Sequence, residues 1–187
     1  MSPSLGSAPE RVYAALRPEQ LPECLRSGRL PDDAPVHAVT PALREHYTEG
    51  DAEELELAAM LDAADSSLRL IAATGSAGTS GGGATARRLV LAADVPAAQA
   101  SPRPVADDDP AEALSRVDLT EPLALSAVVS AHVDEVEAAT DVAAAAAALP
   151  AADVGDEDAA FTVDGAQGHD LLWYDASELE ALAAELG

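Results

Sequence analysis

The chain contains no lysine and no asparagine, and only one cysteine, one isoleucine, one phenylalanine, one tryptophan, two methionines and three tyrosines. With Cys24 alone, no intramolecular disulfide and no multi-cysteine zinc cluster can form, which fits a reducing compartment. The absence of lysine removes the phosphate-gripping residue of a P-loop. Long apolar runs are missing as well. The strongest, from Val142 to Leu149, falls far short of the ~20 residues that a membrane helix needs. The opening Met-Ser-Pro-Ser-Leu-Gly-Ser has neither a basic start nor an apolar stretch, so no export signal is recognisable and a cytoplasmic protein without membrane contact is expected.

Positive charge is scarce too, with 10 basic residues, all arginine, against 34 acidic ones and a net charge of -24. Favourable binding to a polyanion needs clustered cations whose contacts release counterions, so no nucleic-acid binding is expected. Residues encoded by AT-rich codons are the missing ones, and 44 alanines replace them, which points to a GC-rich genome. Part of the acidity then reflects lysine lost without replacement. Mimicry of DNA by an acidic surface is the sharper reading, and a solvated acidic surface is the favoured one.

What is present suffices for one domain. Of 187 residues, 48% are hydrophobic, and the core must be assembled mainly from Leu, Val and Ala. Residues 1–10 read as a disordered extension, and residues 11–187 as a single α+β domain. Strand-like segments fall at 11–16, 36–39, 87–95, 116–119, 128–134 and 171–174. Helix signals alternate with them. One helix starts at Arg17-Pro18 and stops near Gly28, and Thr40-Pro41 starts a second that runs to Tyr47. Asp51 with Glu54 forms a capping box for the longest helix, whose stripe is read as Leu57, Leu61, Ala64, Leu68 and Ile71. Thr140 is expected to cap an alanine-rich helix ending at Leu149-Pro150, 153–160 to form a polar turn or short helix, and Asp175 with Glu178 to cap the last helix. Flexible loops are expected at 75–86, which is Gly- and Ser-rich, and at 96–110. Because late strands lie too close in sequence for helical crossovers, the sheet is expected to be mixed or antiparallel, with helices on one side.

Catalytic motifs fail on inspection. Gly78-Thr79-Ser80-Gly81-Gly82 has the letters of a nucleophile elbow, but linker-like sequence surrounds it where a rigid strand-to-helix turn is required. The acidic group Asp153, Asp156, Glu157, Asp158 and Asp164 does not fit a calcium loop. Four histidines are present and none pairs with another at helical metal-ligand spacing, so neither a metal nor a cofactor is expected. Two low-specificity surfaces remain. Arg44, His46, Tyr47, Glu53 and Glu54 gather at a helix junction, where an aromatic and an arginine beside carboxylates suit a partner interface as well as ordinary capping pairs. In the strand at 128–134, Val129, Ala131 and Val133 are expected on one face and Val128, Ser130, His132 and Asp134 on the other, so the strand reads as half-exposed and His132 and Asp134 together could touch one ligand. Trp173 and Tyr174 alternate on their strand, and a structural role is expected for both.

The segments Ala38-Val-Thr-Pro-Ala-Leu-Arg-Glu45, Glu49-Gly-Asp-Ala-Glu-Glu-Leu-Glu56, Arg88-Leu-Val-Leu-Ala-Ala-Asp-Val95 and Leu171-Leu-Trp-Tyr-Asp175 resemble an uncharacterised actinobacterial family of small proteins, a domain of unknown function. The resemblance spans Arg11 to about Leu186. It implies a single-domain cytoplasmic protein from an actinobacterium and transfers no activity. The resulting expectation is a non-enzymatic intracellular domain acting through a protein partner; the alternative is a small-ligand-binding protein or enzyme whose site assembles only in three dimensions.

Overall fold

A computed structural model of the protein describes residues 9–47, 50–74, 86–106 and 111–186. Residues 1–8, most of the Gly-rich segment including Ser80, and Asp107–Asp109 lie outside the described residues. Among the described residues seven strands are seen: β1 (Pro9–Leu16), β2 (Val36–Ala38), β3 (Leu89–Pro96), β4 (Ala100–Pro102), β5 (Arg116–Leu119), β6 (Val128–Asp134) and β7 (Leu171–Asp175). The helices are α1 (Leu21–Ser27), α2 (Pro41–His46), α3 (Ala52–Ala73), α4 (Ala139–Ala152), α5 (Glu157–Gln167) and α6 (Leu179–Leu186). The strands form one sheet in the order β4-β5-β2-β1-β3-β6-β7, and every pairing is antiparallel. The class is α+β.

Local signals set the element ends. The Thr40 hydroxyl accepts a hydrogen bond from Leu43 N at 3.1 Å, and Asp51 Oδ1 accepts from Glu53 N and Glu54 N at 3.0 Å while Glu54 returns a bond to Asp51 N. The chain leaves α1 through Gly28 in the left-handed region, at φ +72°, where a side chain would be strained. β1 and β3 pair over eight residues, from Pro9 opposite Pro96 to Leu16 opposite Leu89, and are buried on both faces over most of their length.

Helices cover both faces of the sheet rather than one. On one side, α1 and α6 bury Leu21, Cys24, Leu179 and Leu182 against Val12, Leu16, Leu91 and Val133. On the other, α2 and α3 bury Leu43, Leu55, Ala59 and Ala63 against Tyr13, Val90 and Ala92. A sheet buried on both faces leaves little room for the apolar-polar alternation that signals one-sided packing. A third cluster joins Leu68 and Ile71 of α3 to Val142, Ala145 and Leu149 of α4 and Ala166 of α5.

Four further expectations change. The α3 stripe holds over its C-terminal part, where Ala64, Leu68 and Ile71 are buried, and fails over its N-terminal part: Leu55, Ala59 and Ala63 face the sheet, whereas Leu57 and Leu61 are 51% and 43% exposed. Small alanines at the sheet-facing positions let the helix come close, so size rather than hydrophobicity selects the buried face. The expected loop at 96–110 contains β4, which pairs with β5. Thr140 is no cap: a 3-10 turn at Val136–Ala138 leads into α4, and Pro150 lies inside the helix, near its end, where it lacks the N–H that would bond the Ala146 carbonyl. Finally, a bulge at Val129 shifts the β3–β6 register, so that Val128 joins Ala131 and Val133 in the core under α1 and α6 while Val129 turns toward α3.

Candidate functional site

One residue of the junction expected to gather functional side chains, Glu54, is consumed by capping. Glu54 closes the α3 capping box, Glu53 is exposed, and Arg44 and His46 stand in the last turn of α2. His46 and Tyr47 make an edge-to-face ring contact with centroids 5.1 Å apart. Thr48 and Glu49, between the two helices, lie outside the described residues. Arg44 also lines a cleft of about 330 Å³ together with Glu10, Arg11 and Glu56.

His132 and Asp134 do not make a shared ligand site. Asp134 is fully buried and bound to Arg88: Arg88 N, Nε and Nη2 all donate to its carboxylate, at 2.6 Å to 3.2 Å. Arg88 also reaches the His169 carbonyl, and Arg87 Nε donates to the Asp134 carbonyl at 2.5 Å. The pair pins the start of β3 to the end of β6 and to the approach of β7. Both charges are desolvated, so each depends on the other. His132 instead lies beside Ser130, with Nε2 3.2 Å from the hydroxyl. Burial, then the Arg11 charge, holds its pKa below the ordinary histidine value, so it is neutral at neutral pH.

A polar relay that sequence spacing did not suggest lies under α3. His37, wholly buried on β2, contacts Ser115 Oγ through Nδ1 at 2.7 Å and Ser66 Oγ through Nε2 at 2.8 Å; Ser115 Oγ donates to Asp62 Oδ2 at 2.6 Å. With the Ser115 proton committed to Asp62, Nδ1 carries the imidazole hydrogen and Nε2 accepts from Ser66. Burial, then the Arg116 charge, pushes the His37 pKa down to about 3. The serine-histidine contact resembles part of a hydrolase triad, yet Ser66 and His37 are sealed beneath the helix and serve to satisfy one another. Ser67 acts similarly, donating to the Leu16 carbonyl and accepting from Leu89 N where the β1–β3 ladder ends. Among the described residues, no group of three or more His, Cys, Asp or Glu is placed to hold a metal ion, and no helix is long and apolar enough to cross a membrane.

The exposed apolar surface that stands out is the β7 edge. β7 is the outermost strand beside β6, and its Trp173 is 59% exposed. Trp173 lies opposite His132, itself opposite Val90, so the indole is on the α3 side of the sheet with Leu171. Leu172 is 42% exposed and stands on the other side with Tyr174, which packs on the core. The structural role expected for both aromatic residues therefore holds for Tyr174 and not for Trp173. Four consecutive apolar residues in a late strand were the available signal, since a half-covered edge strand should alternate. The opposite edge is built defensively: β4 has three residues, ends in Pro102, and has Pro96 and Pro104 close on either side. β7 contains no proline.

A family model matches residues 10–183, almost the whole described fold. The chain belongs to DUF6912, a family of unknown function. No curated protein and no solved structure matches it. The DUF6912 match spans both edges of the sheet, the His37 relay and the Arg88–Asp134 pair, and it assigns a role to none of them.

Proposed function

We propose that this DUF6912 protein is a non-enzymatic, cytoplasmic binding domain that takes an extended segment of a protein partner onto the β7 edge. The observation that carries the reading is the contrast between edges: one is short and blocked by proline, the other offers alternate backbone N–H and C=O groups flanked by Leu172 and Trp173. Strand addition supplies main-chain hydrogen bonds and lets alternate side chains give specificity. Exposed tryptophan is among the side chains that most often dominate binding energy. β7 is bracketed by exposed Asp170 and Asp175 and followed by exposed Glu178 and Glu180, which favours a partner segment carrying arginine or lysine around an apolar centre. The net charge of -24 supports the same choice and disfavours nucleic acid. Composition, through its missing AT-rich codons, supports an actinobacterial source.

The test is affinity capture from the source organism with the wild-type chain, the Leu172→Glu/Trp173→Glu variant, and a Phe161→Glu control on α5, where the phenylalanine is also exposed. Loss of a partner with the edge variant alone is expected. Retention of the same partners by the edge variant overturns the assignment. Sedimentation of the pure protein separates self-pairing of β7 from capture of a different chain.

A further inference from the structure

Successive residues of a strand in an antiparallel sheet point their N–H and C=O groups alternately to the two sides. Asp134 N donates to the Arg88 carbonyl at 3.2 Å, toward β3. By alternation His132 and Ser130 also bond toward β3, while Val133 and Ala131 bond toward β7, where they lie opposite Leu172 and Tyr174. Leu171, Trp173 and Asp175 therefore turn their main-chain groups outward, away from β6. Asp175 obeys this pattern, since its N–H reaches the Glu178 carboxylate at 2.8 Å.

The outward rungs at both ends are occupied. Glu178 closes the one at Asp175. Two residues before Leu171, the His169 N–H donates to the Ala166 carbonyl at 3.3 Å and the His169 carbonyl accepts from Arg88 Nη2 at 3.2 Å. Leu171 and Trp173 are left as the open rungs among the described residues. Three residues of an added antiparallel strand suffice to use both. Those opposite Leu171 and Trp173 aim their main-chain groups at β7 and place their side chains on the α3 side with the indole, while the residue between them meets Leu172 and aims its main chain at solvent. An arginine opposite Trp173 can lie on the half-exposed indole, and the exposed carboxylates of Asp170 and Asp175 stand at the two ends of the edge. Arg11, the nearest cation along that face of the sheet, is already paired with Asp94.

We infer that β7 selects an antiparallel arginine–apolar–arginine element, hydrogen-bonded at the Leu171 and Trp173 rungs, with its apolar residue on Leu172 and an arginine on Trp173. The inference rests on the assignment of β7 as the partner edge and adds to it a register, a length and a side-chain pattern.

The experiment titrates the isotope-labelled full chain with the blocked peptide acetyl-Thr-Arg-Val-Arg-Thr-amide, followed by amide NMR signals and by the fluorescence of Trp173, the sole tryptophan. A Kd of about 1 mM or tighter is expected, with shifts centred on Leu171 to Trp173 and slower hydrogen exchange at the Leu171 and Trp173 amides. Methylating the main-chain nitrogens of both arginines should weaken binding at least tenfold, because those N–H groups donate to β7. Methylating the valine nitrogen, which faces solvent, should change it by less than about twofold. Norleucine in place of both arginines should cost about threefold or more. No binding by about 10 mM, shifts centred elsewhere, or equal losses on methylating valine and arginine overturn the inference. If the peptide fails while capture of a cellular partner still depends on Leu172 and Trp173, the edge stands and this register is wrong; if both fail, the edge itself is discarded.

Discussion

The two faces of the sheet are built from different materials. Under α1 and α6 the contact is apolar and mainly aliphatic: alternate residues of β1 and β3 (Val12, Ala14, Leu16; Leu89, Leu91, Ala93) meet leucines and Cys24, with Tyr174 packed at the side. Under α3 the same strands present Arg11, Tyr13 and Asp94, and neighbouring strands present His37, His132 and Asp134. Each of these polar groups finds a partner there. Arg11 pairs with Asp94 at 2.5 Å, and Tyr13 donates to Glu56 at 3.4 Å. The Tyr13 hydroxyl, with its pKa pushed up to about 12 by burial and then by the Glu56 charge, stays protonated. An apolar face tolerates any sequence of the right volume and pattern, whereas a polar face must be satisfied group by group. The α3 face is therefore the more brittle of the two.

The largest effect should come from breaking the buried charge pair. Asp134→Ala strands the Arg88 guanidinium and should cost about 3–5 kcal/mol, measured by urea unfolding. On the aliphatic face, Leu91→Ala should cost about 2–5 kcal/mol through lost transfer energy and a residual cavity. If Leu91→Ala proves the costlier by a clear margin, the ordering of the faces fails. Ser67→Ala removes a single hydroxyl but orphans the Leu16 carbonyl and the Leu89 amide, so a loss of about 1–3 kcal/mol is expected.

The pH response sharpens the comparison further. His37 has a folded pKa of about 3 against an ordinary value of 6.5, so below 6.5 the unfolded chain binds a proton that the folded one refuses. Its contribution is complete above the unfolded value and is lost as pH falls toward 3, at about 1.4 kcal/mol per pH unit. His37→Gln should be less stable at neutral pH and should show a stability slope shallower by about one proton across that window. An unchanged slope would show that His37 titrates normally. The smallest stability effect belongs to Trp173→Ser, within about 0.5 kcal/mol, because a half-exposed edge side chain has little burial to lose. The same substitution should weaken partner capture.

Residues close in sequence were read well. Thr40, Asp51 with Glu54, Gly28, and Asp175 with Glu178 mark element ends because a cap needs only a side chain and amides two or three residues away. Misreadings share another cause. The N-terminal part of the α3 stripe departs from the hydrophobic pattern because close approach selects small residues there, and the Val129 bulge interrupts the regular alternation of β6. Of the site residues, Glu54 was legible as a cap, while the pairing of His132 with Asp134 rested on a shared strand face that says nothing about what lies above it.

By itself the sequence determined the α+β class, the positions of nearly all strands and helices, and the exclusion of disulfide, P-loop and calcium-loop chemistry. These follow from composition and from interactions spanning a few residues. Only the tertiary structure decided that helices cover both faces, that Asp134 meets Arg88 across 46 residues and His37 meets Ser115 across 78, and that β7 forms an open edge. A side chain's burial and charge partner are set by whichever distant segment packs over it, and no local pattern encodes that choice.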